Sequence, residues 1–172
     1  MADSSGPMRV LVMGVGNTLL QDDGIGVHVT ESLRAVPSGE PPCFDPELDL
    51  IDGGTIGLSL LPDIEDAAAV IVVDASEIGE APGTLRIFRD REIDQQLSGK
   101  RRTVHEVALA DLFGAAAIRG RSPARRALVA IQPASTELGL EPTPDVKAAI
   151  PGACEAIRTL ARQWREEESL HV

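Results

Sequence analysis

At 172 residues, 43% of them hydrophobic, the chain is long enough to bury one substantial core and too apolar to be disordered over most of its length. A formal net charge of -11 and a pI near 4.6 argue against a nucleic-acid backbone or an anionic membrane as partner. Aromatic residues make up only 2%, so the core must be built from Val, Leu, Ile and Ala.

Residues 1–7 are small and polar, carry none of the basic and apolar regions of a signal peptide, and read as a loose tail. Residues 8–16 form a first strand, apolar enough to be buried on both faces. Its exit is Gly14-Val15-Gly16-Asn17-Thr18-Leu19-Leu20-Gln21-Asp22-Asp23-Gly24. A helix should follow over about residues 23–36, with acids in its first turn favouring the helix dipole, before Pro37 and Pro41-Pro42 stop it. Gly14 and Gly16 are followed by Leu19, so the GxGxxG fingerprint fails at the position that allows close helix–strand packing.

A second strand over residues 48–51 leaves through Asp52-Gly53-Gly54-Thr55, and a helix over about 56–65 follows, interrupted near Pro62. Residues 68–73 form a third, fully apolar strand that stops at Asp74. Residues 83–88 alternate as an edge strand, with Leu85 and Ile87 on one side and Arg86 and Phe88 on the other. Residues 90–102 are polar and read as an exposed loop or short helix. Thr103-Val104-His105-Glu106 has the form of a capping box. The helix it starts carries Leu109, Leu112, Phe113 and Ala116 in one stripe, which places His105 in the first turn on the inward face. Arg119, Arg121, Arg125 and Arg126 form a basic, turn-like segment that reads as a solvated loop. Residues 127–131 make another buried strand ending at Gln132-Pro133. A loop over 135–144 leads to helical pattern from about 145 to 168, kinked or split at Pro151-Gly152 and fraying from Glu166.

Strand–helix alternation without repeats predicts a single α/β domain over residues 1–172, with loose tails at 1–7 and 167–172. The fold expected is a three-layer αβα sandwich, its mostly parallel twisted sheet of about five strands covered by helices on both faces. Right-handed crossovers bring the loops at Asn17–Asp23, Asp52–Thr55, Asp74 and Gln132 to one edge of the sheet, with His105 added by a helix pointing there. Two carboxylates and an imidazole suit a divalent first-row ion with open positions, and three ligands alone suit an ion that arrives attached to something else.

Singly, each residue has an ordinary structural explanation: Asp23 as a helix-start acid, Asp74 as a turn cap, His105 as a core histidine, Asn17 as a turn residue. Gly53-Gly54-Thr55 reads alone as a tight turn and Gln132 as a strand end; convergence on one edge is what favours chemistry. His28 and His171 read as structural or surface residues, and Cys43 and Cys154 as non-catalytic thiols. No segment is long and apolar enough to span a bilayer, so a cytoplasmic location without membrane or nucleic-acid partners is expected. The alternatives are a flavodoxin-like or nucleotide-binding module and a metal-dependent hydrolase of a small molecule.

The run from Gly14 to Val27 resembles the N-terminal signature of the endopeptidases that mature nickel–iron hydrogenases. The resemblance continues through Asp52-Gly53-Gly54-Thr55, Val72-Val73-Asp74-Ala75, His105-Glu106 and Ile131-Gln132-Pro133. It implies an α/β sandwich and an aspartic-type endopeptidase that trims the C-terminus of the hydrogenase large-subunit precursor. By motif match it implies Asp23, Asp74 and His105 as the metal-contacting residues, Asp23 and Asp74 also as catalytic acids, with Asp22 the alternative to Asp23. Asn17, Gly53, Gly54, Thr55 and Gln132 would shape the loops or bind substrate. The nickel would be supplied by the substrate, no organic cofactor is implied, and a monomer suffices for cleavage.

Overall fold

The computed structural model describes residues 8–35, 48–99 and 103–170. The readings made for the 1–7 tail, the helix stop at 37–42, Cys43, residues 100–102 and His171 fall outside them. Five strands form one sheet: β1 (Val10–Val15), β2 (Leu48–Gly54), β3 (Ala69–Ala75), β4 (Leu85–Arg89) and β5 (Arg125–Ile131). Their order is β2-β1-β3-β5-β4; all neighbours run parallel except β4, which pairs antiparallel to β5 at the edge. The helices are α1 (Ile25–Arg34), α2 (Leu61–Asp66), α3 (Arg91–Leu97), α4 (Val104–Ile118), α5 (Pro144–Lys147) and α6 (Ile150–Ser169).

The period of two in a strand sorts the core into two layers. On β3, Ala69, Ile71 and Val73 pack with Ile25, Val29 and Leu33 of α1 and Ile157, Leu160 and Trp164 of α6. Val70 and Val72 face the other way, onto Ile64 of α2, Ile93 and Leu97 of α3, and Leu109, Leu112 and Phe113 of α4. The expected three-layer sandwich is present, and the edge strand divides as read, Leu85 and Ile87 joining the first layer and Phe88 the second.

Several boundaries differ from the sequence reading. Residues 21–24 form a separate 3₁₀ turn before α1, so Asp23 precedes the helix. β2 continues through Asp52 to Gly54, because β1 still offers a pairing partner there through a shifted register. β3 runs past Asp74 to Ala75, in register with Ala130 and Ile131 of β5. The C-terminal split falls at Ala148-Ala149; Pro151 sits in the first turn of α6, where its missing N–H costs nothing. α6 stays helical through Ser169, past the expected fraying at Glu166, with Arg125 of β5 paired to Glu167.

Close helix–strand packing is present despite the absent third glycine of the fingerprint. It is carried by Gly26 on α1: a Cβ there would lie 2.1 Å from the Val73 carbonyl oxygen and 2.4 Å from that of Val15. Among the described residues no helix is long and apolar enough to cross a membrane.

Candidate active site

The chain leaving β1 enters α1 on one face of the sheet, whereas the helix α4 that returns the chain from β3 toward β5 covers the other. β1 and β3 are neighbours, so a crevice opens between their carboxyl ends, the usual ligand position in open α/β sheets. Asp23 hangs on one side of it and Asp74 on the other.

The β1 exit is held in a fixed shape. Gly16 has φ +130°, and a Cβ there would stand 1.8 Å from the Asp23 carbonyl oxygen, so only glycine fits. The Asn17 side chain accepts a hydrogen bond from the Leu19 N–H at 3.0 Å, and the Asn17 N–H donates to Asp23 Oδ2 at 3.0 Å. Asn17 thus ties the loop to Asp23 at one end and to Leu19 at the other. Asp22 and Asp23 separate into two roles. Asp22 is fully buried, and its carboxylate accepts from the N–H groups of Ala134 (2.8 Å), Ser135 (3.0 Å) and Thr143 (2.6 Å) and from the Thr143 hydroxyl. Burial raises its pKa, but those donors outweigh it and hold the carboxyl below the usual range. Asp23 faces the crevice.

Asp74 has the parity of Val70 and Val72, so it points toward α4. The capping box on α4 is complete: the Glu106 N–H donates to Thr103 Oγ1, and the Thr103 N–H donates to Glu106 Oε2. It anchors the first turn of α4 with His105 turned inward, in line with Leu109.

The imidazole of His105 stands between the two acids. Its Nε2 lies 3.6 Å from Asp23 Oδ2 and its Nδ1 3.4 Å from Asp74 Oδ1. Side-chain exposure falls along the row, from 17% at Asp23 to 9% at His105 and 2% at Asp74. Burial pushes the Asp74 carboxyl up to about 6, with the His105 imidazole pulling it down and the Glu106 and Asp23 charges adding to the rise. The facing Asp74 carboxylate in turn raises the His105 pKa against the effect of burial. The three side chains are brought together as the sequence reading expected, but in a row. Among the described residues no three His, Cys, Asp or Glu side chains are arranged as a ready cup for an ion. The reason is local: a single imidazole stands between the two carboxylates at 3.4 and 3.6 Å, so the three side chains line up rather than surround a common point.

The sequence profile described as hydrogenase maturation protease matches residues 27–160. The chain is 37% identical over 157 residues to the hydrogenase 2 maturation protease of Escherichia coli K12, covering 91% of this chain and 92% of that protein. It is 38% identical over 160 residues to the hydrogenase expression/formation protein HupD of Rhodobacter capsulatus, covering 92% and 73%. Its fold is similar to that of the hydrogenase maturating endopeptidase HybD from E. coli, with TM-score 0.79 at 36% identity over 91% of this chain and 93% of that one. The chain belongs to the hydrogenase maturation protease family.

In this maturation protease the other sequence-marked residues frame the crevice without touching the row. Gly53 and Gly54 end β2, Gly54 with φ +51°, and the Gly16 N–H donates to the Gly54 carbonyl at 2.7 Å. Thr55 is exposed at the same edge. Gln132 works on the next loop: its Oε1 accepts from the Ile78 N–H at 2.9 Å and its Nε2 donates to Glu77 at 3.0 Å, which fixes the segment after β3.

Two groups of this maturation protease escaped the sequence reading. Glu106 was assigned to capping alone, yet it is 1% exposed, its Oε1 has no hydrogen-bond partner, and its charge acts on both Asp74 and His105. Ser76, two residues beyond Asp74 on the same face, is fully buried with an unpartnered hydroxyl. The period of two could have placed Ser76 beside Asp74; nothing local announces the burial of Glu106. His28 pairs with Glu31 at 3.7 Å and Cys154 is buried against the Val29 carbonyl, in keeping with structural roles. The basic segment is engaged within the chain: Arg119 and Arg121 with Glu65 and Asp66, Arg126 with Asp94. A cavity of about 610 Å³ between α3 and α4 opens at the opposite edge, beside the Arg126–Asp94 pair and the Phe113 ring, and holds none of the row.

Proposed function

We propose that this protease removes a short C-terminal peptide from the nickel-loaded precursor of the large subunit of a nickel–iron hydrogenase. The observation that carries the reading is the row Asp23–His105–Asp74 at the sheet's switch point, in a chain of this family. Nickel is part of the substrate, held by the precursor's own thiolates. Asp23 and His105 Nε2, on the open side of the row, meet it first, and Asp74 follows as the imidazole turns out from between the acids. Two carboxylates and a neutral imidazole are a suitable donor set for nickel(II). A precursor without the metal would leave these charges unmatched and dock unproductively.

Hydrolysis is then of aspartic type. Asp74, ligating through one carboxylate oxygen, keeps the other as general base, burial raising its proton affinity (to about 6 in the metal-free site) against the pull of the cation. It takes a proton from water as the oxygen attacks the scissile carbonyl carbon. The carbon–nitrogen bond breaks, and the proton passes to the leaving amine. Asp23 orients the metal-bearing segment, a single chain suffices, and no organic cofactor takes part.

The test is incubation with a nickel-loaded large-subunit precursor, read by intact mass. A new, shorter large subunit with the matching C-terminal peptide is expected. An unchanged precursor mass after prolonged incubation with the folded protein overturns the proposal.

A further inference from the structure

Eight large apolar side chains are exposed among the described residues, and their placement is uneven. Six of them, Leu19, Leu58, Val104, Val107, Leu138 and Leu140, lie on loops leaving the carboxyl ends of β1, β2 and β5 or in the first turn of α4. All of these segments meet at the edge that holds Asp23 and His105. The other two, Ile118 and Leu170, end α4 and follow α6 at the far side of the sheet.

The loop over 133–143 is stitched to the loop that bears Asp23. The Gly139 N–H donates to the Leu19 carbonyl at 3.0 Å, the Gln21 N–H to the Gly139 carbonyl at 2.8 Å, and the Asp22 N–H to the Ser135 carbonyl at 3.1 Å. Leu138 and Leu140 flank that bridge, 85% and 68% exposed, beside Leu19. The Asp22 carboxylate pins both ends of the same loop through Ala134, Ser135 and Thr143. These leucines are therefore held out to solvent by a fixed backbone. Apolar side chains scattered singly over a surface need no explanation, but a group on one edge marks a contact surface.

We propose that this leucine–valine rim is the docking surface for the folded body of the protein substrate, seating an apolar patch beside its C-terminal segment while the row engages the segment itself. This rests on the reading of the site as one that cleaves a polypeptide, since such a substrate must lie across the rim to reach Asp23. A second copy of this chain is disfavoured as the occupant, because each copy carries a formal charge of -11 and like charges repel.

The experiment compares the parent with the double variant L138S/L140S, the variant L58S from a separate loop, and I118S and L170S from the far side. Each is checked for an unchanged melting temperature, then assayed on nickel-loaded precursor over a range of concentrations. The expected result is KM raised about tenfold or more for L138S/L140S and several-fold for L58S at unchanged kcat, as for buried leucine contacts. I118S and L170S should match the parent. A parent that cleaves while L138S/L140S keeps the parental KM overturns the docking surface and leaves the proteolytic reading standing. A parent that neither binds nor cleaves the precursor overturns both. A concentration-dependent dimer that L138S/L140S dissolves, seen by sedimentation, assigns the rim to self-association and also overturns the proposal.

Discussion

His105 Nδ1 lies 3.4 Å from Asp74 Oδ1, and neither atom has a hydrogen-bond partner although both are buried. Such a contact is an ion pair held under tension: each group is drawn to the other's charge and short of the hydrogen bonds that would repay its burial. The proposed site thus coincides with a buried pair that the fold leaves unsatisfied, a pattern expected of functional sites.

The pH dependence of stability follows from this pair. Asp74 has its folded pKa raised from 3.8 to about 6. The cost of its ionisation is absent below the unfolded value, grows as pH rises, and is complete above about 6, at roughly 3 kcal/mol. His105, also raised, contributes stability that is full below 6.5 and lost as pH climbs through its folded value. Both slope the same way. Asp74→Asn should be inactive yet more stable than the parent by roughly 1–3 kcal/mol at pH 7, with the gain shrinking toward pH 4. Urea unfolding at several pH values checks this; parallel curves for parent and variant would refute it.

Asp22 and Asp23 are adjacent but should respond in opposite ways. Asp22→Ala strands three backbone N–H groups and a hydroxyl, and should cost about 3 kcal/mol or more along with activity. Asp23→Ala gives up one backbone hydrogen bond, and should lose activity for a stability change of about 1 kcal/mol. Thermal melts paired with processing assays separate the two; equal destabilisation would contradict the assignment.

Much of this was legible in the sequence, for reasons that differ by element. β1 and β3 are buried on both faces, so their apolar runs are unbroken, and the Thr103-to-Glu106 cap is complete within four residues. The division of labour between Asp22 and Asp23 was not, because the partners of Asp22 lie 112 to 121 positions away. Nor was the row itself: which nitrogen faces which acid depends on side-chain placement across the crevice. Fraying was expected at the end of α6 because its charges look unanchored locally, whereas Glu167 is engaged by Arg125 from β5.

Glu106 offers a finer probe. Glu106→Gln keeps an oxygen to accept from the Thr103 N–H, so the cap survives, while Glu106→Ala loses it at a cost of about 1–2 kcal/mol. Its negative charge raises the pKa of both Asp74 and His105, so removing it lowers both. The acid limb of the processing rate should therefore move to lower pH in Glu106→Gln. A profile that does not shift would show that Asp74 is not the titrating base.

The packing of α1 on the sheet rests on Gly26. A methyl group there meets two carbonyl oxygens at 2.1 and 2.4 Å, so Gly26→Ala should cost about 3 kcal/mol or more. Denaturant titration would show this, and a variant with parental stability would mean that α1 sits farther from β1 than described.

In the proposed function Asp23, His105 and Asp74 read a nickel centre carried by the substrate. The most direct test is the initial rate of C-terminal processing of one precursor, nickel-loaded and nickel-free, by the parent and by His105→Ala. Cleavage of the loaded precursor only is expected, with a rate lowered at least ~100-fold in a folded His105→Ala, as for loss of a group acting in the transition state. Equal cleavage of the nickel-free precursor, or an undiminished His105→Ala, would contradict it.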